Sequence, residues 1–120
     1  MTKTVTAPPT VEQVRALAAF ATARVQETIG ALKQRVPELA DGVKRSADAK
    51  LILRVPEALI LAISTYEKTL LRQFEWPDGN PDIVRQAWND MLGSCADWRD
   101  HPELPADLRE PLSTAQPLQP

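Results

Sequence analysis

The chain has 120 residues, a formal net charge of −2 and a single cysteine, a length that suits one domain. Apolar residues make up 43% of the chain and charged residues 25%, and both fractions are ordinary for a folded globular protein. This composition excludes a fibrous protein, a fully disordered chain and a disulfide scaffold.

Neither end of the chain nor its interior predicts contact with a membrane. The N-terminal segment is polar and contains no apolar run of the signal-peptide type. The longest purely apolar run is six residues, Ala58–Ile63, whereas a membrane-spanning helix needs about 20. We therefore expect a cytoplasmic protein that makes no membrane contact.

The first predicted helix covers about 11–35 and follows a polar, flexible lead-in, 1–9. Thr10 has the character of an N-cap, and Gln13 stands three residues later, as a capping box requires. Apolar residues then recur at helical spacing up to Val36.

Two similar proline motifs divide the middle of the chain. Arg35-Val36-Pro37-Glu38 is echoed by Arg54-Val55-Pro56-Glu57, and a proline followed by a glutamate is typical of a helix start. The motifs predict a second helix over about 38–54 and a third over about 56–75. Two alternatives remain open, a later start at Ser46 and a continuous helix that is kinked at Pro56. The predicted apolar stripe of the second helix is Leu39, Val43, Ala47, Leu51 and Val55.

The third helix is the most apolar segment, so we expect it to be central. A turn over 76–81 follows it, with Asn80 as the N-cap of a fourth helix over about 81–99. A regular 4-3-4-3 seam runs along this fourth helix, formed by Val84, Trp88, Met91, Cys95 and Trp98. Segment 102–120 contains five prolines and is predicted to be a largely disordered tail.

These elements predict an all-α fold, an antiparallel bundle of three to four helices in a single domain over 10–101. No catalytic site is evident. Cys95 lies on the seam with no histidine three or four residues away, and His101, the only histidine, is near Asp97 and Asp100 at a helix end. A solvated helix end explains this trio better than a metal site does. We expect no enzyme, no cofactor and no bound metal.

Charge is unevenly distributed along the chain. Segment 11–55 holds eight basic and five acidic residues, and segment 77–120 holds three basic and eight acidic ones. With such polarity the two halves of the chain can pair with each other, with a second copy of the chain as a homodimer, or with a protein partner. Basic residues also cluster within 33–54, and this candidate basic face consists of Lys33, Arg35, Lys44, Arg45, Lys50 and Arg54.

The hypothesis from the sequence is a small non-enzymatic helical interaction protein, a regulator or adaptor that acts through protein–protein contacts. Phe74 and Trp76, next to the turn, are the candidate contact residues, because aromatic side chains dominate many interfaces. The alternative is a nucleic-acid-associated regulator that uses the basic face.

Overall fold

The computed structural model describes residues 9–40, 42, 44–75 and 79–109. Within them, all regular secondary structure is helical and packs as a bundle, so the predicted all-α fold class is confirmed. Its elements are the helices α1 (Val11–Arg35), α2 (Ala47–Glu75) and α3 (Pro81–Ser94), and single 3₁₀ turns at Pro37–Leu39, Ala96–Trp98 and Ala106–Leu108.

Helix α1 begins and ends where the sequence predicts. The Gln13 backbone N–H donates to Thr10 Oγ1 at 3.1 Å, and the Thr10 N–H donates to Gln13 Oε1 at 2.9 Å, which completes the capping box. At the other end, Val36 is extended, with φ −116° and ψ 103°, because the ring of Pro37 disfavours helical geometry in the residue before it.

The predicted second helix over 38–54 is wrong. Pro37 starts only a 3₁₀ turn, and Gly42 then adopts a φ of +83°, a left-handed conformation that no α-helix contains. Helix α2 starts after Ser46, whose Oγ accepts a hydrogen bond from the Ala49 N–H at 3.2 Å. The alternative start at Ser46 is the one that the structure adopts.

Of the two alternatives at Pro56, separate helices or one helix that continues through the proline, the structure adopts the continuous helix. Helix α2 is continuous for 29 residues and contains Pro56 in its interior, although proline supplies no N–H for the carbonyl of Ile52. Leu53 and Ile63 are buried on either side of the proline, in two clusters that both include α1 residues. Since α1 is itself continuous, a continuous α2 buries both of these side chains against it.

Neighbouring helices run antiparallel. Leu32, near the end of α1, packs with Leu53, near the start of α2, and the Asn80 N–H before α3 donates to Gln73 Oε1 near the end of α2 at 2.8 Å. The main core lies between all three helices, and its larger buried side chains include Val14, Leu17, Phe20, Val25, Ile63, Leu70, Val84, Trp88, Met91 and Leu92.

Helix α3 starts as predicted and ends earlier. Asn80 Oδ1 accepts from the Asp82 N–H at 2.9 Å, and Pro81 takes the first helical position. The α-helix stops at Ser94, and the 3₁₀ turn Ala96–Trp98 continues the chain instead of an α-helix to 99. Val84, Trp88, Met91 and Cys95 are nevertheless buried in the main core, with Trp98 packed against it, as the seam predicts.

The first part of the predicted tail, just beyond residue 101, packs against the main core. Leu104 and Leu108 are buried in the main core, and Gln13 Nε2 donates to Asp107 Oδ2 at 2.9 Å across to α1. Arg109 secures the turn by donating to the carbonyls of Leu104 and His101. In the sequence, two leucines four residues apart do not outweigh the proline-rich composition, which predicts disorder. Segment 110–120 and most of the lead-in, 1–8, lie outside the described residues.

Trp88 should be a principal contributor to stability. Its side chain is only 2% exposed in the main core, so we expect Trp88→Ala to lower the free energy of unfolding by about 3–5 kcal/mol. Denaturant unfolding followed by circular dichroism measures this loss. A loss below about 1 kcal/mol would contradict the core assignment of the seam.

Two glycines should respond in opposite directions to alanine. A Cβ on Gly79 would lie 2.5 Å from the Gln73 carbonyl oxygen, whereas a Cβ on Gly30 in α1 would meet nothing within 4 Å. We expect Gly79→Ala to lower the thermal midpoint, because the backbone of the turn must shift. Gly30→Ala should raise stability by about 0.5–1 kcal/mol, because alanine favours a helix interior over glycine. If both variants shift the thermal midpoint in the same direction, this account is contradicted.

Candidate interaction surface on the helical arm

Helices α1 and α2 extend beyond the end of α3. The 14 residues of α3 span about 21 Å and the 29 residues of α2 about 44 Å. The part of the hairpin beyond α3, residues 28–40 and 44–58, is called the arm below. A small core of its own holds the arm together and contains Leu39, Ala49 and Leu53, with Ile29, Leu32 and Val36 packed against them.

The arm leaves one side of α2 uncovered. Ile52 and Leu70 are 18 residues apart, which is five full turns, so they lie on the same side of the helix. Leu70 is fully buried in the core that includes α3, whereas Ile52 is 46% exposed. Leu51 and Val55 beside it are 58% and 73% exposed. The side that α3 covers further along α2 therefore stays open in the arm.

The predicted apolar stripe of the second helix does not form its core-facing side, because it lies on the side of α2 that stays open in the arm. Ala47, Leu51 and Val55 are exposed, and Ala49 and Leu53 are the buried residues of this segment. Leu39, the first member of the predicted stripe, is buried, but in the 3₁₀ turn before the helix, and Val43 lies outside the described residues. The sequence places apolar residues on two sides of α2, and α1 covers only one of them.

An apolar groove of about 320 Å³ opens between the two helices of the arm. Trp98, just after α3, is one of its lining residues, so the groove adjoins the end of α3. The polar side-chain groups of the lining are the Thr28 hydroxyl and the Trp98 indole N–H, and the other lining residues are Val25, Leu32, Ile52, Val55, Pro56 and Leu59. A groove of this kind suits the apolar side of a helix.

All six residues of the predicted basic face belong to the arm, but they form no single helix face. Lys33 and Arg35 end α1, Lys44 and Arg45 lie in the loop, and Lys50 and Arg54 lie on α2. The side chains of Lys33 and Arg45 are half-buried, and the other four are exposed. Exposed Glu38, Asp48 and Glu57 are interspersed among them.

Of the two predicted contact aromatics, the structure describes only Phe74. Phe74 is half-buried and packs against the main core near the end of α2, away from the arm. Trp76 lies outside the described residues. The structure therefore leaves the role of Trp76 as a prediction.

A buried arginine, whose position sequence reasoning missed, joins α1 to the C-terminal segment. Arg24 Nη1 donates to His101 Nε2 at 2.8 Å and contacts Glu103 Oε2 at 3.1 Å, and its Nη2 contacts Glu27 Oε1 at 3.0 Å. The guanidinium also lies 5.2 Å from the centroid of the Phe20 ring, within cation–π range. The sequence signal that could have revealed it is that Arg24 is a single arginine among the apolar positions that are buried on α1.

His101 is occupied by this network rather than free to bind a metal. Both of its ring nitrogens face N–H donors, Nε2 the Arg24 guanidinium and Nδ1 the Glu103 backbone N–H at 3.1 Å. A neutral imidazole accepts at only one nitrogen, so the ring bonds Arg24 when Nδ1 carries the hydrogen. Asp97 and Asp100 are exposed, and no group of three His, Cys, Asp or Glu within the described residues is arranged to hold a metal ion.

Cys95 is a packed core residue in this structure. Its Sγ lies 3.3 Å from the Leu92 carbonyl oxygen and 3.7 Å from that of Met91. Burial raises the pKa of the Cys95 thiol, and a backbone hydrogen bond and the charge of Arg99 offset this only in part. A nucleophilic cysteine needs the opposite, an accessible thiol with a lowered pKa.

Comparisons of the chain with protein-family models, with curated proteins and with solved structures find no match. Within the described residues, no helix has both the length and the apolar character to cross a membrane. The function is therefore argued from the surface of the arm.

The buried thiol should make stability fall at alkaline pH. Because the pKa of Cys95 is raised in the folded state, its contribution is fully present below about pH 8.5 and is lost as pH rises through the folded-state pKa. We expect the stability advantage of wild type over Cys95→Ala to be smaller at about pH 10 than at pH 7, as measured by guanidinium unfolding of both proteins. An equal advantage at both pH values would contradict the burial argument.

Proposed function

We propose that this protein is a small non-enzymatic helical interaction protein, a regulator or adaptor, that binds a protein partner through the exposed apolar side of the arm. The observation that carries the proposal is the clustered exposure of Leu51, Ile52 and Val55 on α2, at 58%, 46% and 73%. Clustered exposed apolar side chains are typical of interaction sites, because isolated folded proteins gain nothing from presenting them to water.

The groove next to these residues supports a helix as the bound element. It adjoins the end of α3, and its walls are almost wholly apolar. An amphipathic helix in such a groove presents side chains at intervals of three and four residues, which is how Val84, Trp88 and Met91 of α3 meet the main core. A partner helix in the arm would repeat the packing that α3 makes further along α2.

The charge pattern of the arm favours a protein partner over a nucleic acid. The arm contains six basic and three acidic side chains, and the acidic ones, exposed Glu38, Asp48 and Glu57, lie among the basic ones. Binding to phosphates gains from a continuous positive surface, and carboxylates within it repel the backbone of the nucleic acid. Mixed charges around an apolar centre are typical of the rim of a protein interface.

Neither residue considered for chemistry supports an enzyme. Cys95 is buried in the main core, and His101 is engaged by Arg24. The proposal therefore assigns the protein a binding role, as expected from the sequence.

Affinity capture from the native host tests the proposal with a matched pair of variants. Val55→Asp places a charge in the exposed apolar side of the arm. Ile83→Asp places the same charge on the exposed Ile83 of α3, which is 39% exposed and outside the arm. Mass spectrometry of captured proteins and sequencing of captured nucleic acid provide the readout. We expect to capture a partner protein whose recovery falls at least tenfold with Val55→Asp and is unchanged with Ile83→Asp.

The two contrary outcomes are distinct. Captured nucleic acid that is lost with Lys50→Glu and Arg54→Glu, without a protein that depends on Val55, would favour the alternative of a nucleic-acid-associated regulator. Recovery of the same proteins by wild type and by Val55→Asp would remove the arm from the proposal. Circular dichroism shows whether each variant remains folded.

A further inference from the structure

We infer that the arm opens and closes as a unit of its own, separately from the rest of the fold, about a hinge formed by Gly30 of α1 and Pro56 of α2. The rest of the described fold, residues 9–27, 59–75 and 79–109, is called the body below. The inference goes beyond the proposed function and does not require it, because it concerns the isolated chain. The position of the two hinge residues relative to the two cores of the hairpin carries it.

Each helix of the hairpin contains one residue that disfavours a helix interior. Gly30 is the only glycine or proline within α1, and Pro56 is the only one within α2. Glycine loses backbone entropy in a helix, and proline supplies no N–H for the carbonyl four residues before it. Nothing in the structure requires the glycine, since its φ is not positive and a Cβ there would meet nothing within 4 Å. Gly30 therefore weakens α1 without a compensating contact.

These two residues lie at the same level of the hairpin. Thr28 and Leu32, on either side of Gly30 along α1, line one groove together with Val55 and Pro56 of α2. Because this groove lies between the two helices, Gly30 and Pro56 are within about one helical turn of each other along the hairpin. Both helices are thus weakened where a single opening would interrupt them together.

The two cores of the hairpin are separated at this level. No residue of α2 between Leu53 and Ile63 is buried, and no residue of α1 after Val25 is buried. Among the described residues, Ile29 is the one side chain that packs against both cores. The main core has sixteen buried residues and the core of the arm has three. Opening of the arm disrupts only the smaller core, so it needs less free energy than unfolding of the body.

Opening changes the apolar surface that the arm presents. Leu51 and Val55 are exposed in the closed arm, whereas Leu39 and Leu53 are buried there and become accessible only when the arm opens. A molecule that binds the first pair on the closed arm favours closure, and one that binds the second pair favours opening. The hinge therefore gives one segment of the chain two alternative apolar surfaces.

Native-state hydrogen exchange of the isolated chain, measured by NMR at increasing guanidinium concentrations, tests the inference. The amides of Leu32 and Leu53 report on the arm, and those of Leu17, Leu70 and Met91 report on the body. We expect the arm amides to be protected at least about tenfold less than the body amides. Their exchange should also depend less on denaturant, because opening of the arm exposes less surface than global unfolding does.

A variant of the body distinguishes local opening from global unfolding. Ile63, which is 1% exposed, lies in the main core, so Ile63→Val destabilises the closed and the open-arm forms equally relative to the unfolded chain. Body amides should therefore exchange several-fold faster, and the amides of Leu32 and Leu53 should keep their wild-type protection.

Two glycines provide a matched pair of variants for the hinge. Gly30→Ala and Gly93→Ala each add a Cβ that meets nothing within 4 Å, the first at the hinge and the second in α3. Because alanine favours a helix over glycine, Gly30→Ala should slow exchange of the arm amides about fivefold. Gly93→Ala should leave their exchange unchanged, since α3 stays folded when the arm opens. Pro56→Ala restores a backbone N–H donor and should also slow it.

Three results would overturn the inference. Equal protection and equal denaturant dependence of arm and body amides would show that the chain unfolds as one cooperative unit. Faster exchange of the arm amides in Ile63→Val would show the same. Arm amides that respond equally to Gly30→Ala and to Gly93→Ala would exclude a hinge at this level. Slower arm exchange with Gly30→Ala and Pro56→Ala, and with neither body variant, supports the arm as a separate unit.

Discussion

The difference in length between α2 and α3 determines where this protein is closed and where it is open. Both helices of the α1–α2 hairpin are long, with 25 and 29 residues, whereas α3 has 14. Where the three helices overlap, they enclose a core that contains Leu17, Leu70 and Met91. Beyond Trp98, no third helix in the described part of the chain packs on the hairpin, and apolar residues on the corresponding side of α2 are exposed. The exposed surface thus results from one short element in an otherwise regular bundle.

The C-terminal segment after α3 also packs against α1 and the main core, although it forms no further α-helix in its described part. After α3, the chain contributes Leu104 and Leu108 to the main core and reaches α1 through the contacts of Arg24 and of Gln13. These residues cover the N-terminal half of α1 rather than the arm. The carboxylates that contact Arg24 are mostly exposed, so their ion pairs contribute little individually. The edge-to-face contact between the Phe20 and His101 rings, whose centroids are 5.5 Å apart, and the burial of the two leucines hold the segment in place.

Local sequence signals predicted the parts of the fold that depend on neighbouring residues. The capping box of Thr10, the end of α1 before Pro37 and the Asn80–Pro81 start depend on interactions within a few residues, and each was predicted correctly. The course of α2 was left open, because Pro56 disfavours a helix locally and only packing on both sides of it against α1 keeps the helix continuous. The predicted stripe through Leu51 and Val55 does not face the core for a related reason. Hydrophobic periodicity identifies an apolar side of a helix, but it does not tell whether a neighbour is long enough to cover it.

The arm has few stabilising contacts of its own. Its own core has three buried residues, of which Ala49 is small, and the loop before α2 passes through the left-handed Gly42. A helix interior containing Pro56 adds a local cost. Any molecule that covers Leu51 and Val55 buries apolar surface in the folded arm alone, so it stabilises the arm by mass action. Binding at this surface and ordering of the arm are therefore coupled, because the residues that a partner would cover lie on the same helix segment that the small core holds in place.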